Sequence, residues 1–208
     1  RIAEIPLTES FLNIDAKNLA IPIILNKSSQ IDLRIKAAHK SIENNIISVD
    51  SLSALYQSVD FDTSQLNDPE ETLKQYENNI EILMAYYFQQ INIQIFPSER
   101  LAALINFWNY AKKNNLEKIA YLSSYKIIQS IEISEENIVF APQIATAYIY
   151  NEDFQQASKW LQYYENTGAD SPQSIYVKIL LSIYSANEIE QLVDIISSNI
   201  EVFKGVND

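Results

Sequence analysis

Apolar residues in this chain recur three and four positions apart, segment after segment, and no other feature constrains the fold as much. Between 69 and 92 they fall at Leu73, Tyr76, Ile80, Leu83, Met84, Tyr87, Phe88 and Ile91. A period near 3.6 puts such residues on one face of an α-helix, whereas a half-buried strand needs strict alternation. Asp68-Pro69-Glu70-Glu71 opens the stretch as a helix start should. It offers a capping carboxylate, a proline where no backbone donor is needed, and acids at the positive end of the helix dipole. One long helix over 69–92 is predicted. The same rhythm and punctuation predict helices over 29–44, 48–59, 97–113, 116–130, 142–150, 153–165, 170–185 and 188–201, with a short one over 9–19. Ser134-Glu135-Glu136 reads as a further start, and Pro142 as the point where that segment restarts or kinks.

The connections between these segments are mostly short, so neighbouring helices lie antiparallel. The chain has only 2 glycines, Gly168 and Gly205. No Asn-Gly or Asp-Gly exists to turn a hairpin, which argues against an antiparallel β protein. Asn is the next residue able to adopt the left-handed conformation at a helix end. Asn114-Asn115, Asn151 and Asn187 stand where glycine is usual, and all three connections are read as Asn-terminated. The polar stretch 60–68 is the best internal linker. It suggests an irregular helical region over 1–67 and a repeat region over 68–208, with one continuous domain as the alternative.

A fixed period tests for repeats. Tyr148 and Ile183, Phe154 and Ile189, Ala157 and Leu192, and Leu161 and Ile196 are each 35 apart. On these residues the chain resembles the tetratricopeptide repeat. Ile144 and Ala145 fit the large-then-small pair of its first helix, and Tyr148 the later aromatic. Asp153-Phe154 fits the start of its second helix, Ala157 the small residue at the close approach, and Leu161 the large one after it. Ala141 stands where Trp is usual, Glu152 replaces the turn glycine, and Tyr164 replaces an Ala. The next unit keeps size at Leu180, Ile183, Ile189, Leu192 and Ile196 but loses the small residue; residues 98–131 form a third hairpin in poorer agreement. The resemblance implies an all-α fold of antiparallel hairpins stacked in a right-handed superhelix, with peptides or protein surfaces bound in a concave groove. The carboxylate-clamp subset of that family is not expected, because 141–200 holds only Lys159 and Lys178 as cations. More faintly, 31–61 with the hairpins that follow is similar to uncharacterised alphaproteobacterial helical proteins, a likeness that implies no activity.

Composition excludes several kinds of chemistry. Without clustered glycines no GxGxxG or GxxxxGK[ST] loop can be drawn, so nucleotide-binding folds are not expected. There is no cysteine, and His39 is the single histidine, so thiolate zinc sites and paired-imidazole sites are not expected. Net charge is -12, and 141–208 alone carries 9 acidic against 3 basic residues. Such a surface repels phosphate backbones and anionic membranes and suits a basic partner. The longest apolar run, 19–25, is far short of a membrane span and contains Pro22. The chain begins at Arg1, so a leader or flanking domain upstream is an open expectation, and with it the choice between cytoplasm and periplasm or exterior.

Four sets of residues invite a chemical reading. His39 would be the base of any catalytic triad, but no GxSxG elbow accompanies it, so a buried or surface position on an amphipathic helix is expected. The acidic pairs Glu70/Glu71, Glu135/Glu136 and Glu152/Asp153 point about 100° apart on a helix and sit at helix starts, which suits capping and dipole roles rather than a metal site. Among the clustered aromatics, Tyr86, Phe107 and Tyr163 are the outward-facing candidates for a binding surface. From helix phase alone, the polar positions opposite the hydrophobic seam are Asn106, Asn109, Tyr110, Gln143, Thr146, Tyr150, Ser174, Lys178 and Ser182. The reading is of a non-enzymatic interaction module for a protein or peptide, with no cofactor, metal or nucleic acid and with self-association open. The competing reading is a helical accessory region of an enzyme acting on cell-wall glycan, or a secreted bacterial interaction protein.

Overall fold

The computed structural model describes residues 16–185 apart from 45, 63–64, 67–68 and 169–170, together with 193 and 197. These residues include eleven α-helices of described bounds and one 3-10 turn, with 65–66, 193 and 197 also helical and no strand among them. In chain order the helices are α1 (Ala16–Leu25), α2 (Ile31–Glu43), α3 (Val49–Gln57), α4 (Pro69–Gln75), α5 (Ile80–Ile93), α6 (Pro97–Lys113), α7 (Glu117–Ser123), α8 (Tyr125–Ile128), α9 (Ala141–Tyr150), α10 (Phe154–Asn166) and α11 (Pro172–Ser185). The all-α fold class is thus borne out. The helix expected over 188–201 is described only at 193 and 197, both helical, while the turn at Asn187 and the start of the helix expected over 9–19 lie outside the described residues.

Contacts group the chain into two compact units. The first holds residues 1–95 and 103–119, the second 96–102 and 120–208, so α6 contributes to both. In the first unit α2 packs against α1, α3 and α5, and α3 packs against α5. In the second, α9 packs against α8, α10 and α11, and α10 packs against α11.

Three expected helices are reshaped by short polar side chains. The helix expected over 69–92 is two, α4 and α5, separated by a turn at 76–79. Asn79 leaves helical geometry at φ -119° and its Oδ1 accepts the backbone N–H of Ile82 at 3.0 Å. The apolar rhythm runs unbroken through the turn, but Asn79 caps a new helix there. The helix expected over 116–130 is divided at Ser124, whose hydroxyl donates to the Ala120 carbonyl at 2.8 Å. Residues 135–137 form a turn leading into the 3-10 segment Ile138–Phe140 rather than a helix start. There Asn137 accepts the Ser134 N–H and donates to the Glu132 carbonyl. Glu135 and Glu136 therefore serve no helix dipole, whereas Glu70 and Glu71 lie in the first turn of α4 and Asp153 caps α10.

Two connections close identically. After α6, Leu116 N–H reaches the Ala111 carbonyl and Asn115 N–H the Lys112 carbonyl. After α9, Asp153 N–H reaches the Tyr148 carbonyl and Glu152 N–H the Ile149 carbonyl. Both are Schellman motifs, which require a left-handed residue just past the helix. Asn115 supplies it at φ +57°, in line with the sequence reading. In the second it is Glu152 at φ +60°, while Asn151 sits at φ -95°. The left-handed residue falls one position later than residue preference alone suggests, because the hydrogen-bond register places it there. Gly168, at φ +74°, ends α10.

Candidate functional site

The second unit holds an open cleft of about 610 Å³. One wall is α10 with its N-cap Asp153, contributing Gln156, Lys159, Trp160 and Tyr163. Asp153, Gln156, Trp160 and Tyr163 are three and four apart, hence on one helical face. The other wall is the segment after α8, with Gln129, Ile131, Glu132 and Ile133. Tyr148 of α9 completes the lining.

Asp153 fixes the start of the helical wall. Its Oδ1 accepts the Gln156 backbone N–H at 3.2 Å, which caps α10, and its Oδ2 accepts the Tyr125 hydroxyl at 3.0 Å. Both oxygens are engaged, so this carboxylate holds structure rather than facing a ligand alone. The Tyr148 hydroxyl donates to the Ile128 carbonyl at 3.1 Å. Its pKa is raised, chiefly by burial, and Asp153 and Tyr125 add to this against a bond with Trp160. The Tyr125 phenol is raised by desolvation and then by the Asp153 carboxylate. Trp160 is buried, whereas Tyr163 is 37% exposed. Lys159 and Glu132 are exposed on different walls. The lining offers amides, one cation, one anion beside the capping Asp153, and apolar contacts to a ligand.

The residues singled out by helix phase do not gather here. Asn106 and Asn109 are exposed and Tyr110 half-buried in the first unit; Tyr110 rests against Tyr87 with centroids 4.8 Å apart. The others lie in the second unit. Thr146 donates to the Pro142 carbonyl, Ser182 to the Lys178 carbonyl, and Lys178 forms an ion pair with Glu165. Tyr150 stacks on Tyr121 at 5.3 Å and meets Tyr184 at 6.2 Å. Gln143 is part-buried, with its Oε1 enclosed and unbonded. Ser174 is 1% exposed, turned inward by bonds with Ser171.

Two aromatic expectations are corrected. Tyr86 and Phe107 are 1% and 0% exposed, not outward-facing. The rule that adjacent positions cannot share a covered face fails because α5 is covered on several sides, with residues 82–86 all buried. Tyr163 keeps its outward position. Helix phase does not point to this cleft, which lies away from the faces opposite the seam; the stripe Asp153, Gln156, Trp160, Tyr163 is the sequence signal for it.

His39 is 3% exposed, and its Nε2 is 2.7 Å from the Tyr56 hydroxyl. Burial, with the neighbouring Lys40 charge, brings its pKa down to about 4. Among the described residues no three His, Cys, Asp or Glu side chains gather as a metal site requires, and no helix is long and apolar enough to cross a membrane. No known protein family, curated protein or solved structure matches the chain.

Proposed function

We propose that this protein is a non-enzymatic interaction module that takes a peptide, or an exposed segment of a protein, in a groove along helix α10. The observation that carries this reading is the cleft along α10, with an aromatic ring, two amides and opposite charges on its walls. In this reading the hairpins stack as tetratricopeptide-like units in a right-handed superhelix. Three features support that stacking. The α9–α10 hairpin is followed by α11 packed on both of its helices. Ala145 and Ala157, the small residues of the resemblance, are 0% exposed, as a close helix approach demands. Glu152 holds a left-handed φ where the repeat has its turn glycine. The partner is basic overall, since the second unit carries 13 acidic and 5 basic residues.

The test is selection of random peptides on the purified chain, followed by amide chemical-shift mapping. Selected peptides should perturb Gln156, Lys159 and Tyr163, and Tyr163→Ala should weaken them about tenfold, equivalent to 1.4 kcal/mol. Soluble cell-wall glycan fragments belong in the same titration. Their selective binding in place of peptides would move the protein to the accessory-region reading. Shifts centred on Tyr150 and Ser182 would relocate the groove to the α9–α11 surface.

A further inference from the structure

We propose that the cleft along α10 binds a short zwitterionic peptide, its carboxylate end on Lys159 and its ammonium end on Glu132. This rests on the cleft being a peptide groove and names the ligand class. Three observations carry it.

The first is charge. Lys159 and Glu132 stand on different walls of one cleft, one on α10 and one on the segment after α8. Neither side chain has an ion-pair or hydrogen-bond partner among the described residues, although Lys178 on α11 pairs with Glu165. The third charge in the lining, Asp153, is already satisfied on both oxygens by the Gln156 N–H and the Tyr125 hydroxyl. Among the described residues a ligand therefore meets one cation and one anion without a partner. A molecule with a charge of each sign matches both, while a purely basic or purely acidic one leaves one of them facing its own sign.

The second is size. The cleft volume of about 610 Å³ lies within the range of roughly 300–1,000 Å³ that holds small ligands.

The third is the chemistry between the charges. Gln156 lines the cleft with a primary amide that is both donor and acceptor, and Gln129, whose side chain also bonds Tyr125, adds an acceptor, which is what peptide groups need. Ile131, Ile133 and the exposed ring of Tyr163 offer apolar contact to the ligand's side chains.

The experiment is calorimetric titration of the full chain with a mixed tetrapeptide library in four forms: free at both ends, N-acetylated, C-amidated, and capped at both. The free form should bind, and capping either end should weaken it at least about tenfold. Lys159→Met should abolish sensitivity to C-amidation while leaving sensitivity to N-acetylation, and Glu132→Gln should do the reverse. Both residues are exposed, and circular dichroism checks that the variants fold. Equal affinity for free and capped peptides, with shifts at Gln156 and Tyr163, overturns the zwitterion assignment and leaves the peptide groove standing. Absence of cleft perturbation by any peptide, short or long, overturns both.

Discussion

Lowering the pH should destabilise the first unit through one residue. His39 is 3% exposed on α2, and its ring nitrogen meets the Tyr56 hydroxyl of α3 at 2.7 Å. Tyr56 is 0% exposed and lies against Phe88 and Phe107, while Gln89 donates to its carbonyl at 2.8 Å. A proton on this imidazole puts a charge where water cannot reach it. That burial is the main cause of the fall in its pKa from 6.5 to about 4, and the Lys40 ammonium next to it is the lesser one. The unfolded chain takes the proton near pH 6.5 and the folded chain only near pH 4, so the neutral histidine's contribution is complete above pH 6.5. It is lost progressively as the pH falls from there and levels off below about 4. At 1.36 kcal/mol per pKa unit, the loss by pH 4.5 is about 2.5 kcal/mol, out of a total of roughly 5–15 for an ordinary domain. Urea unfolding near neutral pH and near pH 4.5, on the wild type and on His39→Gln, measures it. Glutamine can still bond Tyr56 but does not titrate. The wild type should lose about 2.5 kcal/mol more than the variant over that interval. An equal loss in both proteins would refute the assignment of the acid sensitivity to this imidazole.

Other consequences follow from burial, backbone and caps. Trp160→Ala should cost about 3–5 kcal/mol, because the indole is 1% exposed, while Tyr163→Ala on the same face should cost under about 1; chemical denaturation separates them. Glu152→Gly should raise stability by up to about 1 kcal/mol by relieving a left-handed residue, and Asn115→Gly by less, since Asn tolerates that conformation better; thermal melts rank the two. Asp153→Ala should lose about 1–2 kcal/mol with the α10 cap, and Asp153→Asn should retain most of it.

The helical class was legible because period and punctuation agree. Pro97, Pro142 and Pro172 each stand at or beside a helix start, and α6 and α11 end where the apolar rhythm ends. Where the reading erred, a side chain overrode the rhythm: Asn79 and Ser124 interrupt helices whose apolar spacing gives no hint of a break. A local competition between side chain and backbone for one hydrogen bond decides such points, and periodicity does not register it. Site residues were harder still. Phase on a single helix identifies the face opposite its seam, yet Tyr86 shows that this face is covered when neighbours pack on several sides. The cleft is made by α10 together with an irregular segment, and 129–133 has no period from which its partner could be inferred.

The distribution of the two tryptophans has a practical consequence. Trp108 belongs to the first unit and Trp160 to the second, both almost fully enclosed. Each unit therefore carries its own intrinsic fluorophore, and Trp108→Phe or Trp160→Phe leaves a single emitter reporting on one unit alone. Superimposable emission-monitored transitions in the two variants would mean one cooperative transition. Separated midpoints would mean that α6, which belongs partly to each unit, melts in two stages.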